Sequence, residues 1–192
     1  FQRMAKALKP GAPLAFTYHH NDLRAYYPVA VAILDAGLTC SASLPCPAEM
    51  EASIHINGTG SSIIDTVFVC RSTGAVPKRW VVDSPEGVAD LVRTDLANLR
   101  AGNVKLTQGD MRCIGYGHLV RLAIWFLRKR WDRNEKTAKR LATVADWIEH
   151  FGGWSAVGKC VLDSSTAYLD MPLFAVREHA NEYGLDYADI PF

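Results

Sequence analysis

Apolar and polar positions near the start of the chain alternate in blocks that predict a strand followed by a helix. The run Leu14–Tyr18 is short and mostly apolar, and turn residues flank it, which indicates a buried strand of a parallel sheet. Asn21 or Asp22 then caps a helix whose apolar positions recur at helical spacing until Gly37. Pro28 lies inside this pattern, so the helix is either kinked there or begins close to it.

Two further strands are predicted after this helix, at residues 38–44 and 63–70. The connection 45–62 contains no helical pattern that could form a crossover, so we expect these two strands to pair antiparallel. Together with the first strand they make a mixed sheet of three strands. The connection then lies at the same sheet edge as His19 and His20.

The rest of the chain is predicted to be helical. Residues 75–83 carry no periodic pattern and are interpreted as a linker between a strand-containing part at 1–74 and a helical region at 84–192. Helices are predicted at 84–102, at about 110–129, at 134–151 and, shorter, within 169–183. Residues 1–8 have the pattern of the last two turns of a helix without a cap, so we expect a fragment that begins upstream.

Composition and charge narrow the class of protein. The chain has 192 residues, of which 49% are hydrophobic and 21% charged, as in ordinary globular domains. Because the formal net charge is +1, any attraction to nucleic acid must come from a local patch.

The five cysteines form no Cys-x-x-Cys pair, which favours reduced thiols in a cytoplasmic protein over a disulfide framework or a zinc site. No apolar run is long enough to span a membrane, and the histidines outside 19–20 share no ligand-like spacing.

Polar residues follow the first predicted strand directly. They are Tyr18, His19, His20 and Asn21. Open parallel sheets carry their chemistry at the carboxyl ends of their strands, so these residues are candidates for contacting a substrate. Glu49 in the long connection is a further candidate, because a carboxylate there could accept a hydrogen bond from a substrate. The alternatives are that the histidines only satisfy backbone groups at a strand end and that Glu49 belongs to a solvated acidic loop.

Cations cluster where the second and third predicted helices of the helical region meet. They are Arg128, Lys129, Arg130, Arg133, Lys136, Lys139 and Arg140, with Trp125 and Trp131 between them. Basic side chains interleaved with aromatic ones suit contacts with DNA phosphates, and the first four of these cations form the candidate nucleic-acid patch. The alternative is that cations stand at the end of one helix and on the solvent face of the next, where they are favoured without any ligand.

Several of these segments resemble one enzyme family. A Lys-Pro-Gly turn at 9–11, an apolar strand, a helix ending in Ala-Gly at 36–37 and an antiparallel finish resemble the last third of the sheet in S-adenosylmethionine-dependent methyltransferases. More narrowly, Phe-Thr-Tyr-His-His at 16–20, Pro-Cys-Pro-Ala-Glu at 45–49 and the strand 63–71 are similar to adenine-specific DNA methylases of the large type that often carries a zinc ribbon. The resemblance implies a Rossmann-like fold, S-adenosylmethionine as cofactor and DNA as substrate.

The chain lacks the two motifs that carry the chemistry of that family. Neither the glycine-rich cofactor loop nor the Asp/Asn-Pro-Pro-Tyr/Phe tetrapeptide occurs in the 192 residues. The resemblance therefore implies that both lie upstream of Phe1, that this fragment is inactive alone, and that its sheet-edge residues hold the extruded base. We also expect Leu14–Tyr18 to expose an edge that a missing strand covers. The alternatives are a non-catalytic subunit that binds DNA or a partner chain, and a methyltransferase fragment that acts on RNA or a small molecule.

Overall fold

The computed structural model describes residues 1–47, 62–163 and 187–190 of the chain. Helices and strands alternate in the first half, and helices dominate the second. The helices are α1 (Gln2–Ala7), α2 (Tyr27–Asp35), α3 (Pro85–Ala101), α4 (Gln108–Leu127), α5 (Thr137–His150) and α6 (Gly153–Asp163). The strands are β1 (Leu14–Tyr18), β2 (Thr39–Pro47), β3 (Ile64–Arg71), β4 (Gly74–Pro77) and β5 (Tyr187–Ile190). Short 3₁₀ turns lie at Leu23–Tyr26, Lys78–Trp80 and Arg128–Arg130.

β1, β2 and β3 form an antiparallel sheet with β3 in the middle. β3 pairs with β1 from Leu14 opposite Cys70 to Tyr18 opposite Thr66, and it pairs antiparallel with β2, which confirms that prediction. The predicted parallel pairing of β1 in a mixed sheet is wrong for the described strands. The helix α2 returns the chain so that β1 and β2 run in the same direction, but the β2–β3 hairpin places β3 in the space between them.

β1 is an edge strand rather than a buried one. Leu14, Phe16 and Tyr18 are half-buried while Ala15 and Thr17 are exposed, which is the alternation of a strand that packs on one face only. Among the described strands, β3 alone pairs with it. The expected open edge of β1 is therefore present in the part of the chain that the structure describes.

The turn between β1 and α2 begins at the predicted cap. The Asp22 side chain accepts a hydrogen bond of 2.9 Å from the Arg24 backbone N–H and starts the 3₁₀ turn. Pro28 lies in the first turn of α2, where its missing N–H removes no helical hydrogen bond, so the second of the two predicted arrangements is present. Gly37 has a φ of +72° and follows the end of the helix, because the left-handed conformation favours glycine.

α4 packs on most of the other elements. Its residues from 113 to 125 are all buried, as its nearly all-round apolar pattern predicts. It contacts β2 and β3 as well as α2, α3, α5 and α6. Gly117 permits the close approach to the sheet, because a Cβ atom built there would lie 2.5 Å from Ser43 Oγ. Each fully buried aliphatic side chain of this helix, such as Leu119 or Leu122, contributes about 1.5–3 kcal/mol to folding.

The sheet and the helical region share a hydrophobic core. Tyr26 and Phe68 pack in one cluster with Tyr116, Val120 and Ile148. The stretch 75–83, interpreted from the sequence as a linker, contains most of β4 and a 3₁₀ turn, and β4 pairs antiparallel with β5. Side chains on both sides of this stretch therefore enter one packed interior.

The helices of the second half differ from expectation in one place. α3 begins at the predicted Ser84 cap, whose hydroxyl accepts from the Gly87 N–H at 3.2 Å, and α4 and α5 lie within three residues of their predicted bounds. The pattern does not predict α6, because the Gly-Gly pair at 152–153 is typical of a stop; the chain turns there and enters a new helix. The helix predicted within 169–183 lies outside the described residues. In the ranges that are described, each helix is too short or too polar to cross a bilayer.

Candidate functional site

Two regions contain the residues that the sequence singles out, and α4 connects them. The first, called the histidine end, comprises residues 18–21, where β1 stops beside the start of β3. The second, called the basic cleft, lies where α2 ends, β2 begins and α4 runs into Arg128. The first turns of α4 lie at the histidine end and its last turn at the basic cleft. Because fifteen residue steps of helix separate Cys113, which contacts His20, from Arg128, which lines the cleft, the two regions are about 22 Å apart along α4.

His19 is held by the start of β3. Its Nδ1 atom lies 2.9 Å from the carbonyl oxygen of Ile64 and 3.7 Å from Asp65 Oδ1. A carbonyl oxygen only accepts hydrogen bonds, so Nδ1 carries the hydrogen and donates it. The side chain is 32% exposed. The ring is therefore oriented by the sheet and still open to a ligand.

His20 uses its Nδ1 atom as an acceptor, whereas His19 uses its Nδ1 as a donor. Its Nδ1 atom accepts a hydrogen bond of 2.9 Å from the Asp22 backbone N–H, so the hydrogen of the neutral ring lies on Nε2. Its backbone N–H donates to the Tyr26 hydroxyl at 3.4 Å, and its carbonyl oxygen accepts from the Cys113 thiol at 3.7 Å. The residue is exposed. These contacts hold the backbone of His20 and one nitrogen of its ring, and solvent can reach the residue.

The other predicted substrate residues are placed differently. The Tyr18 hydroxyl donates to the Ala25 carbonyl oxygen at 2.9 Å, and its ring meets Tyr26 edge-on with centroids 4.9 Å apart. This hydroxyl is thus already engaged within the chain. Asn21 is exposed beside the two histidines. Glu49 lies outside the described residues, so the structure does not place it relative to the histidine end.

A buried layer that the sequence analysis missed supports the histidine end. Asp110, fully buried near the start of α4, accepts hydrogen bonds from the Ile63 N–H at 2.7 Å and the Ser62 hydroxyl at 2.8 Å. The same carboxylate accepts from the Thr107 backbone N–H at 2.6 Å in a capping box. The Thr-x-x-Asp spacing before an apolar run is the signal that could have revealed it. Burial also raises the pKa of the Tyr26 hydroxyl, which keeps that group neutral under His20.

The basic cleft has a volume of about 380 Å³. It is lined by Leu34, Gly37, Leu38, Thr39, Arg128, Lys129, Trp131 and Arg133. Three of the four predicted cations line it, whereas the exposed Arg130 lies outside the lining. Within the described residues, the ion pairs do not involve the three lining cations. The structure therefore brings together most of the predicted patch, and its three lining cations form no ion pair with a described carboxylate.

Packing fixes the positions of two of these cations. The Arg128 guanidinium lies 3.5 Å above the Trp125 ring and donates to the Trp125 carbonyl oxygen. Burial lowers the pKa of Arg128. Arg133 lies against Gly37, because a Cβ atom built on this glycine would be 2.6 Å from Arg133 Nη2. A larger residue at the end of α2 would push this guanidinium aside.

Asp35 anchors the wall of the basic cleft. Its carboxylate accepts a hydrogen bond of 2.9 Å from the Trp131 indole N–H and another from the Arg140 guanidinium. Both donors follow α4 in the chain, so the pair of contacts ties the segment that carries Lys129 and Arg133 to the end of α2. The sequence places Trp131 among the cations but gives no sign of Asp35, whose partners are about a hundred residues away.

A buried charged cluster lies along α4 between the two regions, and its histidine is one of those that share no ligand-like spacing in the sequence. His118 Nε2 lies 2.9 Å from Asp95 Oδ2, and His118 Nδ1 has no partner within the described residues. Arg121 is only 1% exposed, its Nε and Nη2 atoms are likewise without described partners, and its guanidinium lies 5.9 Å from the Trp80 ring. Burial lowers the pKa of His118, and it lowers that of Arg121 to about 10.

A metal site or a known relative would suggest a function, and neither is found for the described residues or for the sequence. In the ranges that the structure describes, no group of three or more His, Cys, Asp or Glu side chains is arranged to hold a metal ion. The five cysteines are free thiols, of which three are buried. Comparison of the chain with protein-family models, curated proteins and solved structures gives no match. Function is therefore inferred from the chemistry of the histidine end and the basic cleft and from the resemblance of residues 1–74.

Proposed function

We propose that the chain is the C-terminal part of an adenine-specific DNA methyltransferase. Such an enzyme transfers a methyl group from S-adenosylmethionine to the exocyclic amine of adenine, so the protein must hold an extruded base in line with the methyl donor. In this proposal the glycine-rich cofactor loop and the catalytic tetrapeptide belong to a segment upstream of Phe1. The chain supplies the end of the sheet and residues beside the base, and it is inactive alone.

The order of elements supports the proposal. β1, α2, β2 and β3 follow one another as strand, helix, strand and antiparallel strand, which is the succession that the resemblance implies for the end of a methyltransferase sheet. β1 and β2 run in the same direction, so both end at the same edge of the sheet. His19 and His20 follow β1 at that edge, where a substrate of such a sheet would bind.

The observation that carries the proposal is the open outer edge of β1. In the described residues β3 alone pairs with this strand. An unpaired strand edge presents a row of free backbone N–H and C=O groups that can pair with a further strand. A neighbouring strand from the upstream part would occupy this edge and continue the sheet. The histidine end would then adjoin the part of the enzyme that holds the methyl donor.

The charges that line two clefts of the chain do not favour S-adenosylmethionine. Its sulfonium is positively charged, and the basic cleft is lined by cations. A second cleft of about 440 Å³ between α4 and α6 sets Arg112 and Lys159 against the single carboxylate of Asp163. Like charges oppose binding of the cofactor in either place. The proposal therefore assigns cofactor binding to the upstream part and limits this chain to orienting the base.

The test is a methyl-transfer assay on the coding sequence extended upstream in the same reading frame. The extended protein should transfer labelled methyl groups from S-adenosylmethionine to adenine in duplex DNA, and the chain alone should transfer none. His19→Ala in the extended protein should lower the rate by about tenfold, the value of one well-placed base contact. The proposal fails if the upstream sequence lacks both motifs, or if an extended protein that contains them transfers no label.

A second candidate function is non-catalytic binding of duplex DNA by the basic cleft. The observation that favours it is the convergence of Arg128, Lys129 and Arg133 on one cleft with no described carboxylate in an ion pair with them. Phosphate contacts release counterions, so the affinity should fall steeply as the salt concentration rises. Salt-dependent binding by the chain, together with no methyl transfer by the extended protein, would favour this function over the first.

A further inference from the structure

We infer that the basic cleft binds a small phosphomonoester, a molecule in which a terminal phosphate group is attached to an apolar or aromatic group. The inference goes beyond the proposed methyl transfer, because it involves neither the histidine end nor an upstream segment. It gives the cleft a small ligand in place of duplex DNA. The two assignments therefore make different predictions for the same residues.

Three cations line the cleft without being neutralised by the chain. Arg128, Lys129 and Arg133 border one cavity of about 380 Å³. The carboxylate in the wall of the cleft, that of Asp35, is already paired with Arg140. Among the described residues no ion pair includes a lining cation. Like charges around one cavity repel one another, and an anion bound there is attracted by all of them.

Arg128 is held in place before any ligand binds. Its guanidinium lies 3.5 Å from the centroid of the Trp125 ring and donates to the Trp125 carbonyl oxygen. The residue is half-buried, and burial lowers its pKa, because the charged group has lost part of its hydration. An anion in the cleft would replace the lost stabilisation. The planar guanidinium suits this role, since its parallel N–H groups match two oxygens of one phosphate.

A buried hydroxyl adds a neutral donor to the cations. Thr39, the first residue of β2, lines the cleft although it is only 4% exposed. In the part of the chain that the structure describes, its hydroxyl makes no hydrogen bond. Arg133 is close by, since a Cβ atom built on Gly37, two residues before Thr39, would lie 2.6 Å from Arg133 Nη2. The hydroxyl and this guanidinium therefore border the same part of the cleft.

The size and charge of the cleft favour a small phosphomonoester over the backbone of a duplex. A volume of about 380 Å³ lies in the lower part of the range of small-molecule sites, roughly 300–1,000 Å³. A phosphomonoester offers three acceptor oxygens and a charge of about −1.5 to −2 at pH 7. Each phosphodiester of DNA carries one negative charge, and successive groups are spread along the strand. Cations gathered in a small cavity are better neutralised by the single group of higher charge.

An apolar wall beside the cations determines the rest of the ligand. Leu34 and Leu38 are buried and line the cleft. Trp131 lines it as well, and its indole N–H donates to Asp35 at 2.9 Å, which fixes the ring. A ligand that places an apolar or aromatic group against this wall removes apolar surface from water and gains affinity. A phosphomonoester of such a group therefore uses both sides of the cleft.

The first experiment is an NMR titration of the chain with methyl phosphate, dimethyl phosphate and phenyl phosphate. It is run at pH 7.5 in a chloride buffer of about 0.15 M ionic strength. Methyl phosphate should shift the Gly37 amide and Trp131 indole N–H resonances, and it should bind at least about fivefold more tightly than dimethyl phosphate, which carries a single charge. Phenyl phosphate should bind about tenfold more tightly than methyl phosphate. Equal binding of the monoester and the diester, or binding of none of these compounds, would overturn the inference.

Variants test whether the lining residues form the site. Arg133→Ala should weaken binding of phenyl phosphate about tenfold, and Thr39→Val, which removes only the hydroxyl and keeps a β-branched residue in β2, about threefold. Arg130→Ala is the matched control, because this exposed arginine does not line the cleft, and it should leave the affinity unchanged. Urea denaturation checks that each variant is folded. If Arg130→Ala weakens binding as much as Arg133→Ala, or if Arg133→Ala and Thr39→Val bind like the unmodified chain, the inference is wrong.

A competition experiment separates the small ligand from duplex DNA. A duplex without terminal phosphates presents only phosphodiesters, and at low salt the cations attract any polyanion, so the competition is run at about 0.15 M ionic strength. An excess of duplex over the chain should leave bound phenyl phosphate in place. Displacement of phenyl phosphate would overturn the inference and favour DNA as the ligand of the cleft. Methyl transfer by the extended protein is measured separately, so either result leaves the first proposed function unaffected.

Discussion

The histidine end and the basic cleft lie at opposite ends of α4 and are built in different ways. At the histidine end one nitrogen of each imidazole is bound by the chain and the other is left for a ligand. At the basic cleft the lining cations have no described carboxylate in an ion pair with them, and their field extends into solvent. The first region suits a ligand of defined hydrogen-bond pattern, whereas the second suits any polyanion.

The distance between the two regions limits how one DNA duplex can contact both of them. A length of about 22 Å corresponds to about six base pairs of duplex at 3.4 Å each. The basic cleft therefore cannot touch the nucleotide whose base is at the histidine end. If both regions serve one enzyme, the cleft holds the duplex about six base pairs away from the target base. If they do not, binding of DNA and binding of a base will respond independently to substitution.

The largest effect is expected from removing the buried carboxylate that supports the histidine end. Asp110→Ala would remove the buried carboxylate that accepts from the Ile63 N–H, the Ser62 hydroxyl and the Thr107 N–H. The free energy of unfolding should fall by about 3 kcal/mol, because one buried and two half-buried donors lose this charged acceptor together. Urea denaturation checks this.

The control for that substitution is Asp132→Ala. Asp132 also accepts a backbone hydrogen bond, from the Asn134 N–H at 2.8 Å, but it is exposed and lies beside the basic cleft. Its removal should change the unfolding free energy by about 0.5 kcal/mol or less. If both variants lost the same free energy of unfolding, buried hydrogen bonds would not stabilise the histidine end more than the cleft. The contrast between the two regions would then be wrong.

The next effect concerns the cations of the basic cleft. Lys129→Ala combined with Arg133→Ala should weaken binding of a short DNA duplex by about tenfold or more in low salt. It should also reduce the slope of log affinity against log salt by about two, because each of the two cations neutralises one phosphate. Titration of a fluorescent duplex at several salt concentrations measures both quantities, with unfolding measured in parallel.

Arg130→Ala is the matched control within the same predicted patch. Arg130 is exposed like its neighbours but does not line the cleft. Its loss should lower the affinity for the duplex by less than either lining cation, because it is not positioned with them. If Arg130→Ala weakens binding as much as Arg133→Ala, charge alone determines the affinity and the cleft has no significance as a site.

Gly37→Ala should destabilise the fold and disturb the cleft at once. The residue has a φ of +72°, which costs an alanine about 1–2 kcal/mol, and the added methyl would meet Arg133 Nη2. We expect a lower unfolding free energy and weaker binding of the duplex. Gly11→Ala is the control, since Gly11 has a φ of +75° and its Cβ atom would lie 3.4 Å from Thr73 Oγ1 with no cleft cation within 4 Å. It should reproduce the loss of stability without the loss of DNA affinity.

Structural features that depend on neighbours in the chain could be predicted from the sequence. The three strands, the Asp22 cap and the start of α3 at Ser84 follow from local periodicity and capping, and each is present. The pairing of β1 was wrong because strand order depends on where the β2–β3 hairpin inserts, which no local pattern records. α6 was missed for a related reason, since a Gly-Gly pair ends one helix without showing whether the next residues begin another.

In the two regions, too, some features follow from the local sequence and others depend on distant contacts. The positions of His19 and His20 follow from the end of the first strand, and most of the basic patch follows from clustered charge. The ring orientations do not, because His19 is held by Ile64, 45 residues further along the chain. The structure also separates Arg130 from the lining cations, since the 3₁₀ turn at Arg128–Arg130 changes the direction in which successive side chains point.

The smallest effect is expected from the buried histidine midway along the helix that joins the two regions. His118 is held neutral by burial, with Asp95 at its Nε2 atom and the Arg121 cation nearby, and its pKa is lowered in the folded state. An unfolded chain therefore binds a proton more readily than the folded one below about pH 6.5, so stability should fall as the pH falls, by at most about 1.4 kcal/mol per pH unit. Denaturation midpoints at pH 7.5 and 5.5 measure this. His118→Gln keeps a donor for Asp95 but cannot titrate, so its stability should depend less on pH. The control His150→Gln, on the surface, should show the same pH dependence as the unmodified chain. An identical pH dependence in all three proteins would show that the proton responsible binds elsewhere.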